Sequence, residues 1–293
     1  MSTVKSFAVG SGDMFYIRHG SDNFTIIDCC LPDANPDVIL DELESERLGK
    51  GITRFISTHP DDDHIRGLCE LDATLGLRNF YCVDNETTKP DWTADFERYG
   101  ELRDSSGKAF HIYKGCTRRW MNQSTDERGS AGINVLWPVR TNAFFKAELA
   151  RTKAGGSPNN ISCILTYSLN GGNTIMWMGD LQSEFMELVK EEVEMPPVDI
   201  LFAPHHGRDT PPKQWLDAMN PQMVVLGDAA AEHLDPYSGF NKLRQSLAGD
   251  IVLECHVGKT HVYVGSSTYS VDFLTKEHVG NNYERYIGTL YCG

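Results

Sequence analysis

The chain alternates short apolar runs with polar, glycine-containing breaks, and the run lengths decide what each segment can become. Runs rich in β-branched and aromatic residues and bounded by turn residues fit strands, whereas apolar positions three and four apart fit helices. On that basis residues 6–9, 14–18 and 24–28 are expected as short strands joined by Gly- or Asp/Asn-containing turns. A helix follows from Pro36, with Asn35 as its N-cap and a stop near Gly49, because proline suits the first helical position, where no N–H is needed. Residues 52–57 give the next strand, and a helix opens near His64.

Residues 86–130 are polar and carry both charges, so they are expected as an insertion. Beyond it, 133–137 is a strand and 142–153 a helix, and 161–169 with 174–178 is a hairpin around Asn170-Gly171-Gly172. Strand-then-helix units then repeat: 198–203 leads to a helix capped by Thr210 with Pro211 at its start, and 223–226 to a helix over 236–247. Residues 251–254, 260–264 and 269–273 close the chain as strands. This alternation predicts an α/β protein with covered sheets, and with no repeat or flexible linker, residues 1–293 are expected to form one domain.

Composition changes this picture little. No apolar stretch approaches the roughly 18 residues of a membrane span, and the start of the chain carries no secretion-signal pattern, so the expected location is cytoplasmic. None of the eight cysteines forms a Cys-x-x-Cys pair, which favours reduced thiols over a zinc knuckle. A net charge of −14 disfavours non-specific binding of duplex DNA. It leaves a nucleotide substrate open, because a bound cation reverses the local field.

The chemistry concentrates in His59-Pro60-Asp61-Asp62-Asp63-His64, directly after a buried-strand pattern. Burying unpaired carboxylates costs several kcal/mol each by order of magnitude, and a divalent cation is the natural compensation. A solvated acidic loop with one capping Asp would account for one carboxylate and for neither histidine. Four more strand ends carry ligand-type residues: Asp28, Asp180, the pair His205-His206, and Asn159-Asn160 ahead of a strand. Each alone has an ordinary explanation, Asp180 as a helix cap or one histidine on a backbone carbonyl. Strand ends gather at one edge of an α/β core, so the set points to a metal site.

These residues resemble the metallo-β-lactamase fold, whose signature is His-x-His-x-Asp-His after a strand. Within it they are most similar to the soluble hydrolase domain of ComEC-type DNA-uptake proteins and its stand-alone relatives. The matching text is Val9-Gly10-Ser11-Gly12-Asp13, Thr58 to His64, Leu136-Trp137-Pro138, Asn159 to Ser162, Met178-Gly179-Asp180 and Pro204 to Gly207, in the family's order. The resemblance implies a four-layer αββα sandwich and one or two divalent ions, zinc or manganese. It implies His59 and Asp61 on a first ion, Asp63 and His64 on a second, Asp180 bridging, and His206 completing the second. The order of His205 and His206 is open. Asp28 is implied as an orienting carboxylate. Asp61 stands where the family has histidine, and Asn159 or Asn160 where a hairpin histidine is expected, which tilts the first site towards harder ions.

The expected activity is metal-dependent hydrolysis of a nucleotide-type phosphodiester, with Asp63 and His205 as catalytic residues. Asn160, Arg208 and His233 are candidates for substrate contact, His233 and His205 also as proton donors. A surface or capping role explains His233 equally well. Hydrolysis of a carboxylic ester, lactone or thioester is the first alternative, and a catalytically weak sensor or partner-binding module the second.

Overall fold

The computed structural model describes residues 1–228, 237–277 and 285–292. The first half runs β1 (Ser2–Ser6), β2 (Phe15–Arg18), β3 (Asn23–Ile27), β4 (Cys29–Cys30), α1 (Pro36–Glu46), β5 (Ile52–Ile56), α2 (Asp62–Ile65), α3 (Leu68–Leu75), β6 (Phe80–Val83), α4 (Ala94–Arg103) and β7 (Ala109–Ile112). The middle runs β8 (Ile133–Trp137), α5 (Ala143–Lys153), β9 (Ile164–Ser168), β10 (Thr174–Trp177), α6 (Ser183–Val189), β11 (Ile200–Phe202), α7 (Lys213–Met219) and β12 (Met223–Leu226). Then come β13 (Lys242–Arg244), α8 (Gln245–Ala248), β14 (Ile251–His256), β15 (Lys259–Val264) and β16 (Arg285–Tyr291).

The chain is an α/β protein with two mixed sheets. The first has the order β16-β15-β14-β1-β2-β3-β5-β6-β7, the second β13-β12-β11-β10-β9-β8. In the first, β3, β5, β6 and β7 run parallel and the rest pair antiparallel. In the second, β10 to β13 run parallel, while β8, β9 and β10 form an antiparallel meander. The sheets face each other: Phe15 of β2 meets Trp177 and Phe202 of the second sheet edge-on, at 6.0 and 4.9 Å between centroids. The outer face of the first sheet buries Phe24, Phe55 and Phe80 against Leu40, Leu43, Leu71, Phe96 and Tyr99 of α1, α3 and α4. On the second sheet, Trp137 packs against Phe145 of α5 and Phe185 of α6. Helix, sheet, sheet and helix thus form four layers.

Several segments differ from the sequence expectation. The first strand is Ser2–Ser6 rather than 6–9. Its polar text Ser-Thr-Val-Lys-Ser masks a buried strand, because the Lys5 ammonium is held by Glu42 at 2.8 Å and Asp250 at 3.0 Å. The 86–130 stretch contributes α4 and β7 to the fold, with β7 parallel to β6. The Asp95 carboxylate accepts the N–H groups of Gly67 and Cys69 at the start of α3, which ties α4 into the helix layer. After Thr210 the prolines at 211 and 212 hold the backbone extended, and α7 starts only at Lys213. The helix expected over 236–247 is instead β13 followed by the short α8 from residue 242 on, since Leu243 pairs with Val225. The last strand is Arg285–Tyr291, paired with β15, and 269–273 forms none.

Candidate metal centre

Parallel neighbours end on the same side, so β3 and β5 in one sheet, and β10 and β11 in the other, deliver their carboxyl ends to one edge. Asp28 follows β3, residues 57–64 follow β5, Asp180 follows β10, and Pro204–Gly207 follows β11. A further carboxylate arrives on the loop after β1. Asp13 donates its N–H to the Asp63 carbonyl at 3.1 Å, and a Cβ on the neighbouring Gly12 would lie 2.7 Å from that same oxygen. Only glycine allows so close an approach.

Asp28 organises the first half of the cluster from a fully buried, left-handed position, φ 56°. Its carboxylate accepts the Thr58 N–H at 2.7 Å, the Thr58 hydroxyl at 2.6 Å and His64 Nδ1–H at 2.9 Å. With its proton given to Asp28, the Thr58 oxygen accepts from His59 Nδ1 at 3.1 Å. Asp13 does for His206 what Asp28 does for His64, with Oδ1 3.2 Å from Nδ1. These hydrogen bonds assign the proton to Nδ1 in each ring and turn Nε2 inward.

What the inward atoms meet is each other. His59 Nε2, His64 Nε2, His206 Nε2 and Asp180 Oδ1 are buried without a hydrogen-bond partner. His64 Nε2 lies 3.1 Å from Asp180 Oδ1. His206 Nε2 lies 3.4 Å from Asp63 Oδ2 and 3.5 Å from Asp180 Oδ2, and His64 Nε2 lies 3.9 Å from Asp63 Oδ1. Ligand atoms bound at 2.0–2.2 Å around a tetrahedral ion stand roughly 3.3 Å apart. Among the described residues Asp13, His64, Asp180 and His206 also form one of the two groups whose donor atoms all lie within 4.8 Å of one another. Buried polar atoms left unpaired cost free energy, and one divalent ion would satisfy the His64, His206, Asp180 and Asp63 atoms together, with His59 Nε2 beside that set. The residues fit the group.

Protonation tells the same story. Burial and the neighbouring His64 push His59 down to about 3, so its ring is neutral. Burial also opposes charge on His64, but Asp180 and Asp28 outweigh it and hold the ring protonated, well above its ordinary value. His206 is likewise raised against burial, by Asp13, Asp180 and Asp63. For Asp63, burial is outweighed by His206 and His64, which bring the carboxyl down to about 2; Asp180 is lowered well below its usual range by the same two rings. Burial pushes Asp28 up, opposed by His64 and Thr58. Two protons, on His64 and His206, balance the carboxylates, and a divalent ion would take their place.

The remaining candidates lie elsewhere around the cluster. Asp61 caps α2 through the Asp62 N–H at 3.0 Å and accepts from Lys89 Nζ at 2.7 Å. Asn160 is bonded reciprocally to Gln182: Nδ2 donates to Oε1 and Oδ1 accepts the backbone N–H, both at 3.1 Å. His205 and His206 are consecutive residues in the left-handed region, a strain of order 1–3 kcal/mol each that surrounding contacts must hold. Their side chains diverge: His206 is buried in the cluster, while His205 gives Nδ1 to Asp209 at 2.6 Å and brings Nε2 to 3.7 Å from Asp180. Arg208 is partly exposed on the same turn, and His233 lies outside the described residues.

Four participants escape a reading by strand ends. Thr58 and Asp209 are neighbours of singled-out histidines, yet carry no ligand signal. Asp13 sits in the Gly12-Asp13 text, 193 residues from the His206 that it orients. Lys89 has no motif at all.

No protein-family model matches the chain, and no curated protein matches it. Solved structures are similar at a distance. A diiron β-hydroxylase from Streptomyces venezuelae, CmlA, aligns at 13% identity over 84% of this chain and 48% of its own, with TM-score 0.41. A mutant of the CmlA β-hydroxylase gives 12% identity, 86% and 53% coverage and TM-score 0.46. The chain therefore spans about half the length of those proteins. The metallo-β-lactamase SMB-1, in a complex with mercaptoacetic acid, gives 13% identity, 70% and 81% coverage and TM-score 0.39. At this distance the chemistry has to be argued from the cluster itself. Among the described residues no helix is long and apolar enough to cross a membrane.

Proposed function

We propose that this chain is a metal-dependent hydrolase of the metallo-β-lactamase type, acting on a phosphodiester of nucleotide kind. One observation carries the metal reading: the buried Nε2 atoms of His64 and His206 converge on the Asp180 and Asp63 carboxylates at 3.1 to 3.9 Å, each ring fixed from behind by a carboxylate. Asp63, His64, Asp180 and His206 would hold a divalent ion, zinc or manganese, with His59 beside them. A bound ion of this kind acidifies water towards neutral pKa and polarises the bond under attack.

The chain's own residues supply the rest. Asp28 and Asp13 keep His64 and His206 in one tautomer and one orientation, so that neither ring must reorganise when substrate arrives. Asp209 stays ionised despite burial, because His205 and the Ser183 backbone N–H stabilise its charge. It holds His205 with Nε2 on the cluster side, where that atom can hand a proton to a leaving oxygen. Arg208, next to it, offers a cation for a phosphate. The motif order shared with DNA-uptake hydrolase domains favours the phosphodiester.

The test is a panel of bis(p-nitrophenyl) phosphate, single-stranded oligonucleotide, and carboxylic ester, lactone and thioester substrates, with chelated protein reloaded with zinc, manganese or cobalt. Metal-restored cleavage of the phosphodiesters alone is the expected result. Metal-restored cleavage confined to the acyl compounds would replace the substrate class. No turnover on any substrate, with metal bound, would favour a sensor or partner-binding module.

A further inference from the structure

The metal-binding reading leaves an imbalance at the centre. The donors on Asp63, His64, Asp180 and His206 are assembled for one ion, whereas Asp61 and the Asn159 or Asn160 that the family pattern sets beside His59 for the other ion are engaged within the chain. Asp61 Oδ1 is taken by Lys89 and by the Asp62 N–H. Both polar ends of the Asn160 amide are committed to Gln182, and Asn159 Oδ1 accepts from the Ser157 hydroxyl at 2.5 Å. Of that group His59 Nε2 and the shared Asp180 Oδ1 are buried without a hydrogen-bond partner; Asp180 already serves the assembled set, so another ion beside His59 would still need Asp61 to complete its ligands.

Lys89 is held in place. Its ammonium bridges Asp61 at 2.7 Å and Asp62 at 2.9 Å and lies 5.6 Å from the centre of the Phe96 ring. The side chain is only 11% exposed, although Asp61 and Asp62 are more open to solvent. A long, flexible side chain loses rotamer freedom when held like this, so the ion pairs and the aromatic face must offset that loss. The cation therefore sits on the carboxylates of the signature turn, where a second ion would need Asp61.

We propose, building on the metal-binding reading above, that this chain carries a single divalent ion, on Asp63, His64, Asp180 and His206, and that the Lys89 ammonium replaces the second. A fixed +1 charge on the polypeptide neutralises Asp61 without a metal ligand set, and it cannot be removed by a chelator.

The experiment is zinc titration of the chelator-treated full-length chain, read by calorimetry and native mass spectrometry, for wild type, Lys89→Ala and Asp61→Asn. The wild type should take one ion. Asp61→Asn should still take one, with affinity within roughly threefold, well below the 10–100-fold that losing a partner of a ligand costs. Lys89→Ala, which frees Asp61 beside His59, should take a second, weaker ion in excess zinc. Two ions in the wild type, loss of an ion in Asp61→Asn, or a single ion in Lys89→Ala would each overturn the inference. No ion in the wild type would instead remove the metal reading, and the inference with it.

Discussion

At the scale of the residue, the centre works by pairing each inward imidazole with an outward partner. His64 has Asp28, His206 has Asp13, and His59 has Thr58, itself bonded to Asp28. Asp13→Asn and Asp28→Asn should each weaken divalent-ion binding by about 10–100-fold, the usual cost of losing a carboxylate behind a ligating histidine; calorimetric titration measures it. A second prediction concerns protons. His64 and His206 are raised above the ordinary histidine value by their carboxylates, so both carry a proton at neutral pH that an ion must displace. Ion affinity should therefore rise with pH and fall in acid, with up to about two protons released per ion near pH 7. Titration in buffers of different ionisation enthalpy counts them. Binding without proton release would show that those rings do not face the ion.

At the scale of the element, the site depends on strand ends that turn sharply. Gly179 adopts φ 50°, and a Cβ there would lie 2.9 Å from the Thr58 Cβ and 2.8 Å from the Ser162 Cβ. Gly179→Ala should destabilise the chain by about 1–3 kcal/mol through strain, seen as a lower urea midpoint, and should weaken ion binding because Asp180 moves with it. An unchanged midpoint would mean the turn is softer than its contacts suggest. This dependence on strand ends explains what was legible in the sequence. Asp28, Asp180 and His206 are readable because each follows an apolar run, and a polar residue there has few other roles. Asp13 was carried only by its glycine-rich text, because a loop after a polar-looking strand gives no sign of reaching His206. Lys89 was invisible for a different reason: its role is set by where α4 and the preceding loop fold, not by its own neighbours in sequence. The same limit hid β1, whose Lys5 reads as exposed until Glu42 and Asp250 are seen on it.

At the scale of the whole molecule, the two sheets are clamped face to face, and the centre lies where their carboxyl edges meet. Asp28 and His64 belong to one sheet's edge, Asp180 and His206 to the other's, so the ion would bridge the halves. Phe15 packs on Trp177 and Phe202 across the joint. Phe15→Ala should cost about 3–5 kcal/mol of stability, and added zinc should restore part of it, because a ligand that binds only the folded state stabilises it by mass action; thermal unfolding with and without zinc reads both effects. The central claim is that the His/Asp cluster holds a divalent ion. Its most direct measurement is the metal content of the chain after incubation with zinc or manganese and desalting, by inductively coupled plasma mass spectrometry, for wild type and the double variant His64→Ala/His206→Ala. The account predicts a stoichiometric ion in the wild type and background metal in a variant that still folds. A wild type that keeps no ion, or a variant that keeps as much as the wild type, would contradict it.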